Sequence, residues 1–146
     1  MILFDTDHLT VLQFHSNERR LRIIEKMAAD PALQFATTII SAEEQLRGWL
    51  ASIAKERDIF RQVDSYQKFG DAMRFLQSFE IVSFDETAAG HFQRLRSAKS
   101  RVSTMDLKIA SIALAQDALL LTANRRDFEQ APGLRFENWM DPPKVS

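Results

Sequence analysis

Acidic side chains at four places along the chain are the first to suggest chemistry. Asp5 closes the apolar run Ile2-Leu3-Phe4, Glu44 ends Ser41-Ala42-Glu43-Glu44, Asp106 ends Ser103-Thr104-Met105-Asp106, and Asp127 follows Asn124 after Leu119-Leu120-Leu121. A carboxylate at the end of a buried apolar strand is costly to desolvate without a partner, so Asp5 asks for one. Two carboxylates about 4 Å apart repel by roughly 4 kcal/mol at an effective dielectric of 20, and three such pairs reach on the order of 12 kcal/mol, comparable with the ~5–15 kcal/mol stability of a domain. A converging cluster would need protons or cations. All-oxygen donors, with no cysteine and no histidine at the same strand ends, favour Mg2+ or Mn2+ over zinc. Such ions lower the pKa of an attacking water and stabilise the entering and leaving oxygens of an in-line phosphodiester displacement, which is nuclease chemistry. Each acid also has an ordinary reading: Glu44 as the third residue of a capping box opened by Ser41, Asp106 as a helix-start acid favoured by the macrodipole, and Asp7 as a plain N-cap.

Only the surrounding elements could bring such distant residues together. Ile2 to Phe4 reads as a short buried strand ending at Asp5. Asp7 is expected to cap a helix to about Phe14, and Leu21, Ile24 and Met27 mark a second helix from about Asn17 to Ala29, closed by Pro31. A strand over about Phe35 to Ile40 precedes a helix opened by Ser41, with Leu46, Trp49, Leu50 and Ile53 on one face. From Ile59 a long helix carries the stripe Val63, Tyr66, Met73 and Leu76, with Phe75 and Phe79 adding a second, which predicts burial on two sides. Ile81, Val82 and Phe84 form a third strand, Asp85 caps a helix to about Ala98, and Ser103 opens another ending near Ala115. Leu119 to Leu121 form a fourth strand, Asn124 to Asp127 a turn, and Leu134 to Phe136 an edge strand after Pro132-Gly133. Strands alternating with helices predict an α/β fold, a mostly parallel four- to five-stranded sheet covered by helices on both faces. In open sheets of this kind the carboxyl ends of the strands form the ligand crevice, and the candidate acids fall at that edge.

Composition narrows the field. The 146 residues are 45% hydrophobic and 27% charged, enough for one domain with a real core, expected over residues 1–140 with a frayed tail at 141–146 around Pro142 and Pro143. The absence of cysteine removes disulfides, thiol catalysis and cysteine-ligated metals. Nineteen Lys and Arg against twenty Asp and Glu, a net charge of −1, exclude a generally basic coat as the means of holding a polyanion. No run approaches the ~18 apolar residues of a membrane span, and Asp5 interrupts any apolar leader; the expectation is a soluble, cytoplasmic protein.

Taken in order, Ile2-Leu3-Phe4-Asp5-Thr6-Asp7, Glu44-Gln45-Leu46-Arg47-Gly48, Asp106-Leu107-Lys108-Ile109-Ala110, and Leu121-Thr122-Ala123-Asn124 with Asp127-Phe128 resemble the PIN-domain ribonucleases, especially the VapC-like toxins of toxin–antitoxin pairs. The resemblance runs from Asp5 to Pro132-Gly133-Leu134 and Trp139. It implies the three-layer α/β/α PIN fold and Mg2+- or Mn2+-dependent endonucleolytic cleavage of RNA. Asp5, Glu44 and Asp106 are the matching catalytic and metal-holding acids, with Thr6 and Thr122 supporting through their hydroxyls. Many PIN domains carry aspartate where this chain has Asn124; an asparagine there can ligate through its carbonyl but brings no charge, and Asp127 is the candidate substitute. An antitoxin protein and a homodimer are implied as partners.

RNA would be held by local basic groups: Arg94, Arg96, Lys99 and Arg101 before Asp106, and Arg125 with Arg126 on the neighbouring loop. Such contacts fix register without reading sequence, although the same residues also read as a solvated surface. Arg19, Arg20 and Arg22 read as an exposed helix face. His8 is weighed as a general acid–base near Asp5, a role that metal-activated water makes unnecessary. Trp49, Phe60, Tyr66 and Phe69, if exposed together, would mark a docking patch. Two other readings remain open: a non-catalytic RNA-binding or scaffolding PIN domain, favoured by the uncharged Asn124, and a haloacid-dehalogenase-like phosphatase, which Asp5-Thr6-Asp7 resembles. Against the phosphatase stand Leu9, where that family has a small β-branched residue, and the absence of a later pair of adjacent aspartates.

Overall fold

The computed structural model describes residues 1–98 and 101–142. The short apolar runs form strands as expected: β1 (Ile2–Phe4), β2 (Phe35–Thr38), β3 (Glu80–Val82), β4 (Leu119–Leu121) and β5 (Arg135–Glu137). They pair side by side in the order β3-β2-β1-β4-β5, every pair parallel. Parallel neighbours require crossovers, and helices supply them: α1 (Thr6–Phe14), α2 (Glu18–Ala29), α3 (Ile39–Lys55), α4 (Ile59–Gln77), α5 (Glu86–Ser97), α6 (Thr104–Ala115) and α7 (Arg125–Phe128).

Alternation along the strands sorts side chains into two cores, because successive residues point to opposite faces. Leu3, Ala36 and Leu120 face one layer, with Ile109, Ile112 and Ala113 of α6 and Leu95 of α5. Ile2, Phe4 and Leu121 face the other, with Leu9 of α1, Ile23 of α2 and Leu76 of α4. The result is the expected three-layer α/β/α arrangement. None of the described helices is long and apolar enough to cross a membrane.

Several local expectations are corrected. Strand β2 stops at Thr38, and α3 begins at Ile39, because the Thr38 hydroxyl takes the cap position and accepts from the Ser41 N–H at 3.0 Å. Ser41 therefore lies inside the helix and opens no box with Glu44. Asp5, not Asp7, caps α1, accepting from the Thr6 N–H at 2.7 Å. The expected turn at 124–127 contains the short helix α7, and Phe84 lies outside β3. The α4 stripe is only partly covered. Ala72 and Leu76 are buried, while Val63, Tyr66 and Met73 are exposed. Strand β3 ends the sheet after three residues, leaving the first half of α4 without a sheet to cover it. Leu50 of α3 is likewise exposed, although Ile53 on the same expected face is buried.

Candidate active site

The sheet order reverses at β1. The chain moves from β1 outward to β2 and β3, then returns to the other side of β1 to form β4 and β5. Such a switch point opens a crevice beyond the carboxyl ends of the central strands. Phe4 is level with Leu121 on one side and Thr37 on the other, so Asp5 emerges beside Thr122 and Thr38. The N-terminal turn of α6 brings Asp106 to the same place, and the second turn of α3 brings Glu44.

Hydrogen bonds tie these groups into a continuous chain. Thr6 Oγ1 donates to Glu44 Oε2 at 3.2 Å, and the Thr6 N–H donates to Asp5 Oδ1. Thr122 Oγ1 donates to Asp5 Oδ2 at 2.7 Å and accepts from the Asn124 N–H at 3.1 Å. The Asn124 side-chain amide then donates to Asp106 Oδ2 and to Asp127 Oδ2, each at 3.1 Å. Ser103 Oγ caps α6 by accepting from the Asp106 N–H. The structure thus brings together Asp5, Thr6, Glu44, Asp106, Thr122, Asn124 and Asp127.

The electrostatics differ from the sequence expectation in one respect. Hydroxyl and amide groups stand between most of the carboxylates, and burial outweighs mutual repulsion as the cause of their perturbation. Burial first, then the Asp7 charge, pushes Asp5 up from 3.8 to about 7, against the hydrogen bonds from Thr122 and Thr6. Burial, then a shared hydrogen bond and repulsion from Asp127, raises Asp106 to about 6, with Glu44 contributing. Burial also raises Glu44, opposed by the Thr6 hydroxyl. Asp5 and Asp106, which hold protons close to neutrality, are groups from which a bound cation would displace the proton. The donor set is entirely oxygen and amide, which fits Mg2+ or Mn2+. Among the described residues no three acidic, histidine or cysteine side chains are gathered closely enough to enclose an ion as they stand.

Asp7 is the residue that sequence reasoning missed. Its Oδ2 accepts from the Ala123 N–H at 2.7 Å and lies 3.4 Å from Thr122 Oγ1, fixing the loop that carries Thr122 and Asn124. Its Oδ1 is 2.6 Å from His8 Nδ1. His8 is completely buried, and its Nε2 accepts from the Trp139 N–H at 3.1 Å, so Nδ1 carries the proton and donates to Asp7. Both ring nitrogens are thereby engaged, and His8 is structural. The one available signal was the Asp-x-Asp spacing after β1.

The basic residues separate. Arg125, on α7, lines a cavity that begins at Thr122, and Arg126 is exposed beside it. Arg101 is exposed in the segment entering α6. Arg94 instead adjoins Leu114 and Pro132, eight residues from Asp106 along α6, or about 12 Å at the α-helical rise. Arg96 is exposed on α5, and Lys99 lies outside the described residues. Of the aromatic quartet, Phe60 and Tyr66 are exposed, in the company of Ile59 and Val63. Trp49 and Phe69 are half-buried, Trp49 against Phe14 with ring centroids 5.8 Å apart.

A parallel sheet of this order, with acidic side chains gathered beyond the carboxyl ends of its central strands, defines the α/β class whose ligand crevice lies at the switch point. Within it the chain belongs to the PIN-domain family, whose description matches residues 2–134. Among similar proteins, ribonuclease VapC2 of Rickettsia felis is 35% identical over 69 residues, 44% of this chain and 52% of that protein. The tRNA(fMet)-specific endonuclease VapC of Salmonella typhimurium is 33% identical over 69 residues, again 44% of this chain and 52% of that protein. These matches span about half the length of each relative. The fold resembles the crystal structure of VapBC2 from Rickettsia felis bound to a DNA fragment from their promoter, with TM-score 0.70 and 24% identity over 95% of this chain and 99% of that one. It also resembles VapBC-1 from nontypeable Haemophilus influenzae, with TM-score 0.72 and 18% identity over 97% of this chain and 100% of that one.

Proposed function

We propose that this protein is a divalent-metal-dependent endoribonuclease and the toxin of a toxin–antitoxin pair, acting in the cytoplasm. The observation that carries the reading is the hydrogen-bond chain joining Glu44, Asp5 and Asp106 at the switch point of a PIN fold. Asp5, Glu44 and Asp106 hold the ion, Mg2+ or Mn2+, with Asn124 and Asp127 as further ligands. When bound, the metal supplies Lewis-acid stabilisation and an acidified water. The protein's own groups do the rest. Thr122 and Thr6 aim carboxylate oxygens by donating to Asp5 and Glu44, and Asp7 holds the Thr122–Asn124 loop in register. Arg125, Arg126 and Arg101, with Arg94 and Arg96 further along the surface, position RNA through its phosphates, and the sequence adds Lys99 to this basic set. The exposed apolar surface of α4 supports protein partners, an antitoxin and a second copy of the chain.

Incubating the purified protein with total cellular RNA, with and without Mg2+ or Mn2+, and mapping new 5′ ends tests this reading. Metal-dependent cuts that disappear in Asp5→Asn and in Asp106→Asn are expected. RNA binding indifferent to divalent ions, with no cuts, would instead mark a scaffolding PIN domain. Phosphate release from small esters would mark a phosphatase.

A further inference from the structure

His8 is a completely buried imidazole on α1, and both of its ring nitrogens are engaged. We propose that His8 is a positioning residue for the reaction: by holding the Asp7 carboxylate it fixes the loop of Thr122, Ala123 and Asn124 on which the acid cluster depends. The inference rests on the nuclease reading and adds a residue outside the cluster, together with the chain segment that orients it.

The contacts run in one direction from His8 to the acids. His8 Nδ1 donates to Asp7 Oδ1 at 2.6 Å, and Asp7 Oδ2 accepts from the Ala123 N–H at 2.7 Å and lies 3.4 Å from Thr122 Oγ1. On one side of Ala123, Thr122 donates to Asp5; on the other, Asn124 donates to Asp106 and Asp127. The Asp7 side chain is 32% exposed, so water could solvate its carboxylate in several rotamers. A buried donor behind it selects the one that faces the loop, because a site is only as precise as the groups that support it.

That donor is itself held in place. His8 Nε2 accepts from the Trp139 N–H at 3.1 Å, which sets the tautomer and leaves the proton on Nδ1. The ring stands edge-on to Phe4 of β1, with centroids 6.5 Å apart and planes at 69°. Trp139 follows β5 in a segment pinned by Arg22 Nε, which donates to the Met140 carbonyl at 2.6 Å, and by the Phe35 ring, 6.3 Å from the Trp139 ring. The segment after β5 therefore acts on the acids through His8 and Asp7, although it contributes no acid to them.

Two substitutions separate this role from packing. His8→Asn keeps an amide donor near the place of Nδ1 but leaves the buried Trp139 N–H unpaired, whereas His8→Gln offers that N–H an acceptor but withdraws the donor from Asp7. His8→Asn should melt at the lower temperature, having lost more volume and orphaned a buried N–H. At the site the order should reverse. Hydrogen exchange of the metal-free protein should show the Ala123 and Asn124 amides exchanging about tenfold faster in His8→Gln, the worth of roughly one hydrogen bond, and close to the wild-type rate in His8→Asn. Mn2+-dependent cleavage of total cellular RNA should slow by about tenfold in His8→Gln and be largely restored in His8→Asn. Val82→Ala, which empties core volume on the edge strand β3, should lower the melting temperature and leave both amides unchanged. Nitrogen-15 shifts of the wild-type imidazole should place the proton on Nδ1. Loop exchange that simply follows melting temperature across the three variants, or a wild-type His8 protonated on Nε2 alone, would overturn the proposal. Exchange and tautomer are read without cleavage, so failure of the nuclease reading shows separately, as wild-type protein that leaves RNA intact with Mn2+ present.

Discussion

Replacing Asp5 by asparagine should stabilise the metal-free protein above neutral pH while abolishing RNA cleavage. The Asp5 carboxyl moves from 3.8 to about 7 on folding, chiefly through burial. Because the folded-state value lies above the unfolded one, the folded protein holds the extra proton between them. The associated stability is complete below about pH 4, declines as pH rises, and is gone above about pH 7. At 1.36 kcal/mol per tenfold, the ionised side chain costs about 4 kcal/mol at alkaline pH. Asparagine removes that cost and keeps an acceptor for the Thr6 N–H. It places N–H donors opposite Thr122 Oγ1, which now donates to Asp5 Oδ2 at 2.7 Å and would have to turn, a loss of about 1.5–3 kcal/mol for a hydrogen bond to a charged group. The net gain is about 2 kcal/mol, which for a domain of this size is roughly a 4–8 °C rise in melting temperature. Asp106 and Glu44 are present in both proteins and largely cancel in the difference. Calorimetry with chelator at about pH 8 and about pH 4 reads it directly, because at the acidic end both side chains are neutral, only the altered Thr122 contact remains, and the variant's advantage should vanish or reverse. A variant no more stable than wild type at about pH 8, or an advantage that persists in acid, would refute the reasoning. Added Mn2+ should narrow the gap from the other side by stabilising the wild type through binding.

Three further outcomes follow from the same geometry. Asn124→Asp replaces the amide that donates to both Asp106 and Asp127 with a third acid; metal-free stability should drop by about 1–3 kcal/mol, while calorimetric Mn2+ affinity rises. Asp7→Ala strips a partner from buried His8 and from the Ala123 N–H. A loss of about 1–3 kcal/mol in denaturant titrations is expected, with cleavage reduced even where the protein remains fully folded. Phe60→Ser, at a side chain 85% exposed, should leave stability within about 0.5 kcal/mol of wild type and reduce self-association in light scattering.

What the sequence disclosed and what it withheld divide along a physical line. Strands β1 and β4 and the placement of Asp5 are legible because a short apolar run halted by a polar residue needs no distant information. Ser103 and Asp85 announce their helices for the same reason, each capping within three residues. The start of α3 is not legible. Two cap signals overlap there, Thr38 to Ser41 and Ser41 to Glu44, and the choice between them depends on what Glu44 does instead. Its carboxylate reaches Thr6 Oγ1, a partner 38 positions away, so it is withdrawn from any local box and the helix starts at the earlier cap.

Asp7 follows the same logic at greater distance. As an isolated acid in the first turn of α1 it looks like ordinary helix-dipole chemistry, yet both its oxygens are claimed, one by His8 and the other by the backbone of Ala123, 116 positions on. The α4 stripe errs in the opposite direction: period tells that a face is apolar but not that anything in the chain will cover it, and Ile59, Phe60 and Val63 remain in solvent. A side chain's role is therefore readable where its partner is a near neighbour. The crevice of a parallel sheet is built from partners that are not, because each of its strands arrives from a separate crossover. That is why the acids, and through the family resemblance Thr6, Thr122, Asn124 and Asp127, are nameable one by one, while which of them bonds to which, and the part played by Asp7, emerge only in three dimensions.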